Sequence, residues 1–348
     1  MLDKKSFYIN GEWVSPIEPR NFKVIDPSNE EVCAEISLGG KKDIDKAVSS
    51  AKKAFNSWAY SSKEERLDLL EKLYVVYKKR WAEMAKLITL EMGAPMKFST
   101  EMQAATGASH IKSFKNILKD FKFERDLGEE KNNQKLLYEP KGVCALITPW
   151  NWPINQVNLK VIPALASACT VVLKPSEIAP LSSMLLAEMI DEVKFPAGVF
   201  NLVNGDGEIT GDALTSHPDI DMISFTGSTR AGALISQNAA KDFKRISLEL
   251  GGKGANIIFK DADSDAVARG VQRCFRNSGQ SCNAPTRMLV EKSIYNETVD
   301  KVKELANSTK VDLPEKDGEH IGPVVSAVSY THLRAHETRE DLGCRHMV

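Results

Sequence analysis

GVCALITPWNWPINQVNLKVIPALASACTVVLKPSE, residues 142–177, decides the fold. Two apolar runs, GVCALIT (142–148) and TVVL (170–173), bracket a helical pattern at about 156–167. Neither run alternates polar with apolar residues, which is the pattern of strands buried on both faces. Strand–helix–strand of this kind predicts a parallel pair joined by a crossover helix. The pattern continues downstream. Strand-like runs recur at 199–203 (VFNLV), 221–225 (DMISF) and 245–250 (RISLEL), with helical patterns at about 181–193, 208–216 and 229–240. The expectation is a doubly wound parallel sheet that binds ligands at the carboxyl ends of its strands.

Beyond Gly251-Gly252 a second alternation begins: strand 255–259, helix 263–276, strand 287–291, helix 293–307. It reads as a second α/β domain, with the glycine pair near the hinge. Upstream, FYINGEWV (7–14) alternates around Asn-Gly and predicts a hairpin. A helix from Asp43 to Trp58 follows. A second opens with the capping box Ser62 to Glu65 and carries Leu67, Leu70, Tyr74, Tyr77, Trp81, Met84 and Ile88 on one stripe. A third spans about 97–118. The charged segment 120–140, with Asn132-Asn133 as its turn, reads as a projecting hairpin, either an ordinary surface element or an oligomer contact.

Composition narrows the function classes. The chain has 348 residues, 42% hydrophobic and 27% charged, which excludes a largely disordered chain or a small disulfide scaffold. A net charge of −1 gives no pull toward nucleic acid or an anionic membrane. The six cysteines, Cys33, Cys144, Cys169, Cys274, Cys282 and Cys344, form no C-x-x-C pair and read as free thiols in a reducing compartment. No signal-peptide h-region follows the N-terminus, and the longest uncharged stretch, Gly142 to Leu159, contains two prolines and three asparagines, so it is no membrane span. A cytoplasmic protein is the expectation.

Several short motifs carry chemistry. In NSGQSCNAPTR (277–287), Cys282 lies in a polar loop between a helix and a strand, where a thiol can be lowered in pKa and kept accessible as a nucleophile; the alternative is a small buried residue. In ISLELGGKG (246–254), Glu249 ends an apolar strand whose neighbours should raise its pKa toward that of a usable base, unless it is merely a charge at the solvent end of the sheet. In TPWNWP (148–153), a rigid backbone holds Asn151, whose amide can stabilise an oxyanion or belong to a structural turn. No G-x-G-x-x-G follows the first strand. FTGSTRAG (225–232) instead offers helix N-terminal amides with Gly227, Ser228 and Gly232. LKPSE (173–177) places Lys174 and Glu177 at a strand's carboxyl end, suited to ribose hydroxyls, and the acid would repel a 2′-phosphate.

In combination, TPWNWP, VVLKPSE, FTGSTRAG, LELGGK and a GQSC whose cysteine follows Glu249 by 33 residues (282 − 249) resemble the aldehyde dehydrogenase superfamily, from about residue 7 to about 328. The resemblance implies two doubly wound α/β domains plus a protruding β-hairpin, with the second domain incomplete. It divides the chain into an NAD-binding domain (1–119 and 141–250), an oligomerisation hairpin (120–140), a catalytic domain (251–328) and a non-family tail (329–348). It implies Cys282 as nucleophile, Glu249 as general base and Asn151 as oxyanion donor. Thr148, Trp150, Lys174, Ser176, Glu177, Gly207, Gly227, Ser228, Gly232 and Leu250 would bind the cofactor, NAD rather than NADP. The implied partners are a small-molecule aldehyde and, for a full-length form, further copies in a homodimer or homotetramer. No metal, nucleic acid or membrane is implied.

Asn155 and Gln156, at positions where similar enzymes often carry apolar or aromatic residues, would favour a polar aldehyde or else bond only to backbone. Family members are longer, and SYTHLRAHETREDLGCRHMV (329–348) departs from them in composition, so the chain reads as an incomplete copy with impaired turnover. Two other readings compete: a cysteine-dependent esterase without hydride transfer, and an inactive fragment that keeps the fold.

Overall fold

The computed structural model describes residues 1–127, 134–327 and 329. The chain opens with β1 (Leu2–Lys4), the hairpin β2 (Phe7–Ile9) and β3 (Glu12–Val14), then β4 (Asn21–Asp26) and β5 (Glu31–Ser37). The Asn-Gly prediction holds: Asn10 and Gly11 both adopt positive φ, and Phe7 pairs with Val14 across the turn. Helices α1 (Lys41–Trp58), α2 (Lys63–Lys79), α3 (Trp81–Met92) and α4 (Met96–Phe98) follow, then a π-helical turn (Ser99–Gln103) and α5 (Ala104–Asp120). Strands β6 (Glu124–Asp126) and β7 (Lys135–Leu137) form the expected antiparallel hairpin, while the Asn132-Asn133 turn lies outside the described residues.

The alternating core comes next: β8 (Val143–Ile147), α6 (Pro153–Ala166), β9 (Thr170–Lys174), α7 (Leu181–Val193), β10 (Phe200–Leu202), α8 (Asp212–Ser216), β11 (Met222–Gly227), α9 (Thr229–Ala240) and β12 (Arg245–Leu250). A second unit holds β13 (Ala255–Ile258), α10 (Ala266–Phe275), β14 (Arg287–Val290) and α11 (Tyr295–Ser308).

The main sheet runs β12-β11-β8-β9-β10-β2-β3. Its first five strands are mutually parallel; β2 runs against them, and β3, antiparallel to β2, returns to their direction. Every residue of β8 and β9 is buried, as two-sided burial requires of uninterrupted apolar runs. Each buried Val, Leu or Ile there contributes about 1.5–3 kcal/mol relative to an exposed side chain. Helices α6 and α7 pack on one face within the larger core cluster, and α1 packs on the other with Ile44, Ala47, Val48 and Ala51.

Strand order reverses at β8. The chain passes from β8 to β9 to β10 in one direction, then returns to lay β11 and β12 on the other side. Such a switch point opens a crevice at the carboxyl ends of the strands.

Two expectations need correction. The single helix from Ser62 through Ile88 is two helices, broken at Arg80 (φ −97°, ψ 15°). The guanidinium of Arg80 reaches Glu83 and, at 2.7 Å, Glu188 on α7, so a tertiary ion pair holds the break while the apolar stripe continues past it. The N-terminal sheet β1-β5-β4 is a further element that the alternation pattern did not reveal.

The second unit has the expected strand–helix alternation, but its sheet consists of β13 and β14 alone among the described residues. Ile257, Phe259 and Leu289 are each more than half exposed, so apolar surface stays open there.

Candidate active site

The segment 276–282 is wound tightly. Asn277, Ser278 and Gly279 all have positive φ, a run that L-residues adopt only when their surroundings hold it. The supports are side-chain amides. Asn277 Nδ2 donates to the carbonyls of Asn151 (2.9 Å) and Gln280 (3.3 Å). Gln280 Nε2 donates to the Asn277 carbonyl, and Gln280 Oε1 accepts from the Val325 amide at 2.9 Å. Gln103, from the π-helical turn, donates to the Asn151 carbonyl and to Asn277 Oδ1. This frame leaves Cys282 exposed at the end of the loop.

Asn151 lies just beyond the carboxyl end of β8, where the Pro149–Pro153 segment leads into α6. Its Nδ2 donates to the Gln280 carbonyl at 2.9 Å, which ties the TPWNWP turn to the cysteine loop. A primary amide has two N–H groups, so the second is left for an incoming oxygen. Trp152 Nε1 donates to Ser281 Oγ at 2.8 Å and closes the junction from the other side.

Glu249 stands on β12, the edge strand, opposite Thr226 of β11. The apolar surroundings expected for it are absent, because β12 alternates exposed and half-buried residues and Glu249 is on the exposed side. Immediately after the strand, 251–254 runs along 282–284. A Cβ on Gly252 would come within 3.2 Å of the Cys282 carbonyl, so a larger residue would press on the cysteine loop by a few tenths of an ångström. Tertiary structure thereby brings together the three segments that carry Asn151, Cys282 and Glu249.

Sequence reading missed the groups beneath them. Lys160, on α6, is buried and donates to Ser224 Oγ at 2.9 Å. Burial pushes its pKa down to about 8, and the Glu249 carboxylate opposes that shift. Gln103, Asn277 and Gln280 complete the supporting set. NSGQ adjoining Cys282 was visible in sequence, but nothing local announces that Gln103 arrives from a distant helix.

The expected cofactor residues gather along the same edge. Thr148 follows β8, and its amide bonds the Lys174 carbonyl at 3.2 Å. Lys174 is buried, with its ammonium directed to the carbonyls of Gly205 and Pro175 and to Glu177. It therefore braces the 205–211 turn, which contains Gly207. Glu177 stays partly exposed, and Ser176 Oγ accepts from the Ile178 amide. Ser228 caps α9 by accepting from the Ala231 amide, leaving other first-turn amides open. Gly232 allows α9 to sit against β12, because a Cβ there would meet Leu250 at 2.9 Å. Trp150 is half-buried against the core beside Asn151. Two buried hydroxyls at this edge, Thr148 Oγ1 and Thr226 Oγ1, have no hydrogen-bond partner among the described residues, which fits a polar ligand lying across the strand ends.

No helix among the described residues is long and apolar enough to cross a membrane. The His332/His336 pair lies outside the described residues.

Residues 13–344 match a family model described as the aldehyde dehydrogenase family. The chain is 48% identical to a 3-succinoylsemialdehyde-pyridine dehydrogenase of Pseudomonas sp, over 96% of this chain and 70% of that protein. Among solved structures it is similar to an aldehyde dehydrogenase from Bartonella henselae (58% identity, TM-score 0.93, 95% of this chain and 70% of that one). It is also similar to a mutant of aldehyde dehydrogenase C from Pseudomonas syringae complexed with NAD+ and octanal (42% identity, TM-score 0.92, 95% and 68%).

Proposed function

The chain belongs to the aldehyde dehydrogenase family, an NAD(P)-dependent oxidoreductase class, and on that premise we propose that Cys282, Asn151 and Glu249 carry aldehyde oxidation to a carboxylic acid. The observation that carries this reading is the convergence of the three segments: Asn151 bonded to the cysteine loop through Gln280, and the glycines after Glu249 packed along it.

The Cys282 thiolate adds to the aldehyde carbon. The oxygen that becomes negative is met by the free N–H of Asn151, held in place by its other N–H on Gln280. Bound NAD supplies the acceptor for the hydride that the resulting thiohemiacetal must lose to become a thioester. Glu249, open to solvent, then takes a proton from water as that water attacks the thioester carbonyl, and the acid departs as the thiolate re-forms. A base at this position speaks for hydrolysis of the thioester over its transfer to another thiol.

For the cofactor, α9 capped by Ser228 would receive the pyrophosphate on its first-turn amides, and Glu177 would accept from the ribose hydroxyls. A carboxylate there favours NAD over NADP. The β6–β7 hairpin, with Leu137 and Tyr138 exposed, is proposed as the contact between copies.

Cys282 and Glu249 are both exposed, so the site does not shut out water, and we expect dehydrogenase turnover below that of the longer relatives. The same exposure favours a second reading, hydrolysis of activated esters by Cys282 and Glu249 alone. Absorbance at the NADH band on adding a panel of aldehydes tests the first reading, and nitrophenyl ester cleavage without NAD tests the second. NADH formation that survives Cys282→Ala would overturn the first, and ester cleavage that survives it would overturn the second.

A further inference from the structure

Two helical stripes meet beside the cysteine loop. On one, Phe98, Met102, Thr106 and His110 recur every four residues, all partly exposed. On the other, along α6, Trp152 and Asn155 are partly exposed and Leu159 is exposed. The stripes touch at two places. The Phe98 and Trp152 rings pack edge-on with centroids 5.4 Å apart, and His110 Nε2 lies 2.7 Å from Asn155 Oδ1. The aromatic contact adjoins Ser281, the neighbour of Cys282, through Trp152 Nε1. Asn155 lies three residues farther along α6, about one turn or 5 Å.

The polar contact has a defined direction: an amide oxygen only accepts, so His110 Nε2 donates to Asn155 Oδ1. Asn155 Nδ2 makes no hydrogen bond among the described residues. It presents two free donors beyond an aromatic wall. Gln156, by contrast, is buried, and Asn158 spends its amide on the Gly107 carbonyl at 3.0 Å. Of the polar residues following Asn151, Asn155 is the one with an open amide beside the aromatic pair.

We propose that Asn155, oriented by His110, is a specificity-determining residue that selects aldehydes whose far end is an aromatic or similarly flat group carrying a hydrogen-bond acceptor. The proposal rests on the aldehyde dehydrogenase reading of Cys282. An unbranched alkyl aldehyde would leave the Asn155 donors facing carbon, whereas an acceptor-bearing ring stacks on Trp152 and satisfies them.

The test uses two aldehydes of nearly identical shape, 3-(pyridin-3-yl)propanal and 3-phenylpropanal, which differ by one ring nitrogen. The unmodified chain should favour the pyridyl compound by about tenfold in kcat/KM. Asn155→Leu should bring that ratio to one or below. Because the ratio is taken within one preparation, loss of folded protein does not affect it. A ratio of one or less in the unmodified chain, or one unchanged in Asn155→Leu, overturns the proposal. If neither aldehyde yields NADH, the dehydrogenase reading fails separately, and the proposal is then read from protection of Cys282 against iodoacetamide. Protection by the pyridyl aldehyde at lower concentration, abolished in Asn155→Leu, supports it; equal protection by both compounds overturns it.

Discussion

Cys282 stands at the end of a loop that three amides hold in an unfavourable backbone shape, and the consequences are measurable at single residues. Asn277→Ala removes a donor shared by the Asn151 and Gln280 carbonyls, so it should cost about 1–3 kcal/mol in a urea melt and lower NADH formation more than it lowers stability-corrected ester cleavage. Cys282→Ala should reduce both activities by at least about 10³-fold while leaving the melt within experimental scatter, because the thiol is exposed. Lys160 offers a pH test. Its folded-state pKa of about 8 lies below the ordinary lysine value of 10.5. Between those limits the unfolded chain binds the extra proton, so stability should rise as pH climbs from about 8 to 10.5 and be lost as it falls back through 8. Lys160→Met should lack that slope, as read from melts across this range. Cys282 and Glu249 stand out in the sequence because each sits in a motif. Gln103, Lys160 and Asn277 do not, because their roles depend on partners far away in the chain.

The strands and helices that position these residues obey local rules to different degrees. Strands β8 and β9 were readable because two-sided burial leaves an uninterrupted apolar run. The break at Arg80 was not, because the stripe from Leu70 through Tyr77 to Met84 and Ile88 keeps its period across it and the cause, Glu188, belongs to α7. Helix α7 depends on a second distant group. Glu91 of α3 is wholly buried, and its carboxylate accepts from the amides of Leu181 and Ser182 at the start of α7, directly after the LKPSE turn. Burial raises its pKa to about 7, against the amide bonds that lower it, and the Cys33 thiol of β5 is the titratable group that feels its charge. Below pH 4.5 the proton is bound in folded and unfolded chain alike; between 4.5 and about 7 only the folded chain retains it. Stability should therefore fall as pH rises through that window, by on the order of 3 kcal/mol. Glu91→Gln keeps one acceptor without a charge and should flatten the slope, as measured by melts at pH 5 and pH 8.

Across the whole molecule, the main sheet is covered on both faces and the second unit is not. Ile257 and Leu289 project from β13 and β14 into solvent. Replacing both with lysine should reduce binding of a hydrophobic dye such as ANS and raise solubility, with a change in melting midpoint of no more than a few degrees, since exposed positions contribute little to stability. An unchanged dye signal would show that the open surface lies elsewhere. The amino-acid sequence by itself determined the parallel α/β architecture, the order of the strands' helices and the identity of the candidate nucleophile, base and oxyanion donor. The architecture follows from periodicity, and the three candidate roles follow from the family that their motifs together resemble, since each motif alone leaves an alternative open. Only the tertiary structure decided where the chain reverses around β8, how Glu249 is exposed, which amides hold the cysteine loop, and that His110 meets Asn155. Those outcomes depend on groups tens to hundreds of residues apart, and their pairing is set by packing around the sheet, which no local pattern encodes.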